Sequence, residues 1–207
     1  MTGTTPRRQP RMPIEHRREQ VLDAALRLIT EHGYAAASME AVARAANLAK
    51  PRVYAAYPDR GHLIRALLER EEQRVIADLA RAMPPLSGGI DFAVTLSEAG
   101  ENILQAVTDN PGAWGLLIAP TDEAPPEVRE HHAATRQFAL NQLHTLLETS
   151  RASHPLLAGL DLELAAQFLL AIGEQTVRLI LADPASFTPQ RFGHFARTLL
   201  HLPAQRE

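Results

Sequence analysis

The residues with the clearest capacity for chemistry lie in one short stretch, NLAKPRVYAAYPDRGHL, residues 47–63. It contains Lys50, the single lysine among 21 basic residues, followed after one proline by Arg52. An ammonium group is a compact point charge that suits a phosphate. A guanidinium group can donate two hydrogen bonds to the O6 and N7 atoms of a guanine. The pair therefore indicates a phosphate-bearing partner, with Arg52 as a candidate for contacting a base edge.

The charge distribution favours an anionic partner for the first part of the chain only. Residues 1–70 contain 12 basic and 7 acidic residues, a net charge of +5. Residues 71–207 contain 9 basic and 17 acidic residues, a net charge of −8, and the two parts give the net −3 of the chain. A basic head on an acidic body is typical of a protein whose head binds a polyanion. Random scatter of surface charge is the alternative.

The remaining composition excludes several classes of protein. The chain has no cysteine, which excludes a disulfide framework and a thiolate metal site. It has no glycine-rich phosphate loop, HExxH sequence or nucleophile elbow, so we predict that it is not an enzyme and uses no cofactor. The start lacks the apolar core of a secretory signal, and no apolar run approaches the roughly 18 to 20 residues that span a bilayer. We therefore expect a soluble, cytoplasmic protein.

Three short helices are predicted to position the opening stretch. The first shows apolar residues at helical spacing and ends at Gly33, where a helix commonly stops with a glycine. Ser38 is the predicted N-cap of the second helix, which ends at Asn47 because asparagine tolerates the left-handed conformation. The third begins near Lys50, with Pro51 in its first turn, where the missing N–H costs nothing.

The rest of the chain is also predicted to be helical. Asp59 caps a long fourth helix that runs to about Met83, and the proline- and glycine-containing residues 84–89 are the best linker in the sequence. Five further helices are predicted at about residues 91–108, 111–118, 126–151 and 162–182, and from residue 189 onwards. The sequence thus predicts an all-α fold of nine helices, without strands or internal repeats.

Two short helices joined by a tight turn, behind a first helix, form a helix-turn-helix arrangement, in which the third helix enters the major groove of DNA. The residues GYAAASMEAVARAANLAKPRVYAAYPDRGHL, 33–63, resemble the N-terminal signature of TetR-type transcriptional regulators. The matching positions are Gly33, Tyr34, Ser38, Val42, Ala43, Ala46, Val53, Tyr54, Tyr57, Arg60 and Leu63. A second stretch, AIGEQTVRLILADPASFTPQRF, resembles the family's penultimate helix and its exit.

The resemblance implies a homodimer that binds two half-sites of a palindromic operator and is released by a small effector. On this basis we expect a disordered basic arm at residues 1–13, a helix-turn-helix domain at 14–60 and a helical effector-binding and dimerisation domain at 61–207. The fourth helix, about residues 59–83, would link the two domains.

The resemblance, and for Arg52 its place as the only long polar side chain inside the third helix, indicate which residues contact DNA: Ser38, Arg44, Lys50, Pro51, Arg52, Tyr54 and Arg60. Each has an alternative role. Lys50 could be an ordinary surface lysine, and Arg52 could contact a phosphate instead of a base. Tyr54 matches the family tyrosine whose hydroxyl contacts a phosphate, whereas Tyr57 matches an aromatic residue of the domain core. Ser38 could cap its helix, contact a phosphate, or do both.

The sequence departs from the family pattern in two places. The usual Gly-Val-Ser turn reads Asn-Leu-Ala at residues 47–49, so the serine cap of the third helix is absent. Ala55 and Ala56 stand where bulkier or hydrogen-bonding residues are common, so fewer side chains reach DNA from this helix. We therefore expect affinity to depend on the basic residues near the start of the chain and part of the sequence choice to come from DNA shape. Those residues are Arg7, Arg8, Arg11, Arg17 and Arg18.

The acidic part of the chain is expected to hold the effector, in a pocket that is mostly apolar with a few polar groups. Candidate lining residues, each of which could instead be ordinary core, are Phe92, Leu96, Trp114, Leu117, Phe138, Gln142, Phe168 and Gln175. Because few of these are charged, a largely hydrophobic ligand is favoured. The predicted dimer interface on the last two helices comprises Phe168, Ile172, Leu179, Phe192, Phe195 and Leu199.

Two other functions compete with a ligand-responsive repressor. The first is a TetR-like protein that binds DNA without a small-molecule effector. The second is a small helical enzyme or metal-binding bundle, for which Glu127, His131 and His132 are the only suggestive group. Glu127 and His131 are four residues apart, but the group lacks a further ligand, so we predict no metal site.

Overall fold

The structure is a computed structural model that describes residues 14–82, 92–118, 124–153 and 157–200. The side chains of residues 92–97, 153, 199 and 200 lie outside this description. Over these ranges the chain forms nine α-helices and two 3-10 segments, with no strand. This confirms the predicted all-α fold of nine helices. The predicted disordered arm at residues 1–13 and the linker at 84–89 lie outside the described residues.

The chain divides into two compact units, Met1–Leu67 and Leu68–Glu207. The first unit contains α1 (Ile14–His32), a 3-10 turn, α2 (Met39–Ala45), α3 (Lys50–Ala56) and the beginning of α4 (Arg60–Ala82). The division falls within α4, where Leu63, Ile64 and Leu67 are fully buried. The predicted boundary after residue 60 stays a prediction.

The local signals in the first unit have the predicted backbone conformations. Gly33 follows α1 with a φ of 79°, and Asn47 follows α2 with a φ of 53°, both in the left-handed region. The Ser38 hydroxyl accepts a hydrogen bond from the Ala41 N–H at 3.1 Å, which confirms Ser38 as the N-cap of α2. Asp59 accepts from the His62 N–H at 2.8 Å at the start of α4. Pro51 lies in the first turn of α3, whose N-cap Ala49 provides no side-chain bond.

The second unit contains the rest of α4 and five further helices: α5 (Phe92–Asp109), α6 (Pro111–Ile118), α7 (Pro126–Ser150), α8 (Leu162–Ala182) and α9 (Pro189–Leu200). At the starts of α8 and α9, the side chains of Asp161 and Thr188 accept hydrogen bonds from the N–H groups of Leu164 and Arg191. Helix α7 packs on α8 and α5 packs on α9. Fully buried Glu71 of α4 accepts from Arg70 at 2.7 Å and from Arg74 at 3.1 Å, so its charge is compensated.

The contact between α5 and α9 depends on a small residue. Gly193 of α9 is buried, and a Cβ atom added there would overlap the Glu101 side chain of α5. Glu101 also pairs with Arg197 of the same helix. A larger residue at position 193 would therefore have to displace Glu101 and disturb this ion pair.

We expect Gly193→Ala to lower the free energy of unfolding by about 1 kcal/mol, because overpacking outweighs the gain in helix propensity. Gly100→Ala in α5 is the matched control, since a Cβ atom there would meet nothing within 4 Å. This variant should gain about 0.5–1 kcal/mol. Urea unfolding at one protein concentration measures both, and equal stabilisation by the two substitutions would contradict the packing role of Gly193.

Helix α8 is long and mostly apolar. Among the described residues it is the one helix long and apolar enough to cross a membrane by length and composition, although only 22% of its most apolar stretch is buried. The expectation that no apolar run approaches this length was wrong for α8, because only three charged residues, Glu163, Glu174 and Arg178, interrupt its mostly apolar sequence. The side chain of Glu174 is only 10% exposed and accepts from Arg136 of α7 at 3.1 Å. This partly buried ion pair between α7 and α8 is a feature of helix packing within a protein.

Candidate nucleic-acid interface

Helix α3 has one buried face and one exposed face. Val53 and Ala56 are buried in the first unit, with exposed fractions of 0% and 7%. Lys50, Arg52 and Tyr54 are exposed. The outward face therefore presents two cations and a phenol, the three groups of this helix that were predicted to contact DNA.

The turn before α3 is held by backbone hydrogen bonds. The Leu48 N–H donates to the Ala43 carbonyl at 2.9 Å, and the Asn47 N–H donates to the Arg44 carbonyl at 3.0 Å. Two side chains of α1 bind the end of α2: Gln20 donates to the Ala46 carbonyl at 2.7 Å, and Arg27 donates to the Ala45 carbonyl at 3.3 Å. These contacts fix α3 without the missing serine cap.

Lys50 has a carboxylate partner within its own unit. Its ammonium nitrogen lies 3.2 Å from Oε1 of Glu40, in the first turn of α2, and both side chains are partly exposed. The backbone N–H of Glu40 and then the Lys50 ammonium lower the pKa of the Glu40 carboxyl. No local sequence pattern pairs these residues, because they are ten positions apart on different helices.

Arg60 has a structural role beside the implied contact with DNA. Its Nε donates to the Ala37 carbonyl at 3.0 Å, and one terminal nitrogen donates to the Tyr34 carbonyl at 2.6 Å. The guanidinium thus ties the start of α4 to the 3-10 turn at Tyr34–Ala36. The implied contact of Arg60 with a DNA phosphate stays a prediction, and it would use the other terminal nitrogen of the guanidinium.

The other predicted residues of the first unit fall into two groups. Arg44 and Pro51 are exposed, on α2 and α3. Tyr57 is 3% exposed, which confirms its predicted core role, and the Arg18 guanidinium lies 5.2 Å from the centre of its ring. Burial raises the pKa of the Tyr34 phenol to about 12. Arg7, Arg8 and Arg11 lie outside the described residues.

The predicted effector residues do not surround a common cavity in the described part of the second unit. Trp114 and Leu117 of α6 are buried, whereas Phe138, Gln142, Phe168 and Gln175 are exposed. The side chains of Phe92 and Leu96 lie outside the description. A cleft of about 250 Å³ between α7 and α8 is lined by Leu140, His144, Ala166 and polar neighbours. Another, of about 390 Å³, lies beside Asp78 and Asn110.

The predicted dimer residues differ in exposure. Phe168, Ile172 and Phe195 are 67%, 62% and 61% exposed. Leu179 and Phe192 are half-buried, and Phe192 stacks on Phe187 with ring centres 6.2 Å apart. The side chain of Leu199 lies outside the description.

The histidines of α7 face other polar groups. Nε2 of His131 lies 3.6 Å from Glu72, which also accepts from Thr135 at 2.9 Å. Burial lowers the pKa of His132, and the nearby Glu174 opposes this shift. Within the described ranges, no group of three or more histidine, aspartate or glutamate side chains could hold a metal ion.

Known proteins share features of this helical arrangement. Residues 21–67 match the model of bacterial regulatory proteins of the tetR family. The N-terminal part of the chain is thus similar to regulators of this family. It is 38% identical to the transcriptional repressor KstR of Mycolicibacterium smegmatis over 76 residues. This stretch is 37% of this chain and 36% of KstR. Over 77 residues it is 32% identical to the transcriptional activator FasR of the same organism, 37% of this chain and 35% of FasR. The chain thus matches about a third of the length of these curated relatives.

Solved structures extend the likeness to the whole TetR-like fold. A TetR-like regulator from Rhodococcus sp. RHA1 has a TM-score of 0.71 and 26% identity, over 91% of this chain and 96% of that one. The FadR regulator from Bacillus subtilis, in complex with stearoyl-CoA, has a TM-score of 0.67 and 17% identity, over 90% and 99% of the two chains. The second likeness shows the fold alone. The curated relatives that the chain matches over this third of their length are transcriptional regulators, one a repressor and one an activator.

Proposed function

We propose that this protein is a TetR-type transcriptional repressor that binds a palindromic operator as a homodimer. The observation that carries the proposal is the outward face of α3, with Lys50, Arg52 and Tyr54 exposed beside buried Val53 and Ala56. A short helix with such a face fits the major groove, whose bases and flanking phosphates accept hydrogen bonds. The net charge of +5 over residues 1–70 supports the same partner.

The proposed dimer forms through α8. Leu164, Phe168 and Ile172 are spaced by four residues, share one face of the helix, and are 55%, 67% and 62% exposed. An apolar face of this kind is typical of a protein–protein interface. A second copy of the chain is favoured over lipid as its partner, because α8 also carries Glu174 and Arg178, which form ion pairs in the fold.

The proposed effector is a largely hydrophobic molecule bound in the second unit, and release of the operator on binding is part of the proposal. The B. subtilis FadR complex with stearoyl-CoA supports an acyl chain as the apolar part. The indole nitrogen of Trp114 is buried with no hydrogen-bond partner among the described residues, which supports one polar contact between Trp114 and the effector. It could donate to an acceptor oxygen of the ligand.

Selection from a library of random duplexes of about 30 base pairs tests the proposal with the full chain. We expect enrichment of a palindrome with half-site centres about 10 base pairs apart, one turn of DNA. Stearoyl-CoA, as the ligand probe, should then lower the affinity for this duplex by about 5- to 150-fold. Absence of any binding would refute the DNA-binding function. Binding that stearoyl-CoA leaves unchanged would favour a regulator that does not respond to this ligand.

A further inference from the structure

One acidic residue stands beside the cations of α3. Between residues 32 and 58 the sequence contains a single carboxylate, Glu40. The fold brings it to Lys50, with 3.2 Å between the ammonium nitrogen and Oε1. The side chains of Lys50 and Glu40 are 59% and 42% exposed, so water, ions and macromolecules can reach both.

In this ion pair Glu40 binds the Lys50 ammonium group, which the proposed function assigns to a DNA phosphate. An ammonium group has three donors, and Glu40 uses one of them in the free protein. A phosphate that approaches Lys50 also approaches the Glu40 carboxylate, well within the roughly 8 Å over which physiological salt screens charges. Binding therefore involves exchange of one anion for another at Lys50, and repulsion between the phosphate and the displaced carboxylate.

We infer that Glu40 competes with the DNA backbone for Lys50 and thereby lowers the affinity of this protein for DNA of any sequence. The inference rests on the proposed DNA-binding function. Because the competition acts through a phosphate contact, it weakens specific and non-specific binding to similar degrees. Exposed ion pairs exchange readily, since each contributes little to stability. Glu40 therefore sets how much of the Lys50 charge is available to DNA, without a role in contacting bases.

The substitution Glu40→Gln tests the inference. It keeps the size of the side chain and removes the charge. We expect the affinity for a random-sequence duplex of about 30 base pairs to rise by about three- to tenfold, given two half-sites and the usual strength of exposed pairs. Fluorescence anisotropy at several salt concentrations measures both this rise and the slope of affinity against salt. The slope should steepen, because Lys50 then displaces counterions from DNA more completely.

Two further variants make the test specific. Glu31→Gln removes the same charge from the same unit at an exposed position beside His32, and should raise the affinity much less. In the Lys50→Ala background, the gain in affinity from Glu40→Gln should largely disappear, because the ammonium group for which Glu40 and DNA compete is absent. Thermal melting of each variant checks that the fold is retained.

The outcomes separate the inference from the proposed function. If the wild-type protein binds no duplex DNA, both are overturned. If it binds DNA but Glu40→Gln lowers the affinity or leaves it unchanged, only the competition is overturned, and Glu40 instead positions Lys50 or contacts DNA itself. An equal gain in the Lys50→Ala background would also overturn it, since the carboxylate would then act directly on the phosphates.

Discussion

Replacing Phe168 with glutamate is expected to dissociate the proposed homodimer into monomers. The Phe168 ring is 67% exposed and lies between Leu164 and Ile172 on one face of α8. Burial of a phenylalanine contributes about 1.5–3 kcal/mol, and a symmetric dimer counts the residue twice. The dimer dissociation constant should therefore rise by at least about 100-fold. Sedimentation velocity over a range of concentrations measures the change.

Operator binding should fall with the dimer. A monomer engages one half-site at a time and loses the second contact, which is intramolecular only while the two protomers are joined. We expect Phe168→Glu to weaken binding to the selected palindrome by at least about 100-fold, with little change for a single half-site. Thermal unfolding of the variant, followed by circular dichroism, distinguishes this loss from loss of the fold.

Phe138→Glu is the matched control. Phe138 lies on α7, is 56% exposed and carries the same ring, but it is not part of the α8 face. This variant should remain a dimer and bind the operator like the wild type. If the Phe138→Glu variant were monomeric and the Phe168→Glu variant dimeric, the interface would lie on α7. This result would contradict the proposal.

The sequence predicted the first unit well because its signals are local. Gly33 and Asn47 each stop a helix through their own backbone preference, and Ser38 and Asp59 cap one through a side chain three residues from its partner. Such features depend on neighbouring residues only. The order and the approximate bounds of the nine helices follow from them together with the apolar periodicity.

The contacts between helices could not be predicted in this way. Gln20 binds the Ala46 carbonyl, 26 positions away, and no local rule pairs them. The resemblance to the family implied a phosphate contact for Arg60, but it carried no information on the carbonyls of Tyr34 and Ala37, which this guanidinium binds. The Glu40–Lys50 pair likewise depends on how α2 and α3 are placed in three dimensions.

The effector residues show a further limit of periodicity. An apolar residue on a helix indicates a face that is covered, but the pattern is the same whether the cover is the protein's own core, a ligand or a second copy. Trp114 is buried and Phe168 is exposed, although both were candidates for the same pocket. Phe168 therefore fits the dimer prediction better than the pocket prediction, because its ring points away from the core of its own chain.

Lys50→Ala and Arg52→Ala are expected to weaken DNA binding in two different ways. Lys50 lies in the first turn of α3 as a point charge, so its loss should remove the proposed phosphate contact in each half-site. We expect about a 100-fold weaker affinity of the dimer for the operator, a similar factor for random DNA measured at the same salt, and a salt slope lower by about one per half-site. Electrophoretic mobility shifts or anisotropy on the two duplexes measure these quantities.

Arg52 is the only long polar side chain beyond the first residue of α3, and it is exposed. If it donates to a guanine edge, its loss removes discrimination worth about 1–3 kcal/mol at one base pair of each half-site. Arg52→Ala should then lower the affinity for the operator far more than that for random DNA, and repeating the selection with this variant should give a palindrome degenerate at that position. Arg65→Ala, which removes an exposed charge from α4 within the same unit, should change neither property strongly. Equal losses on both duplexes for Arg52→Ala would instead make Arg52 a second phosphate contact, and sequence choice would then depend on the shape of the DNA.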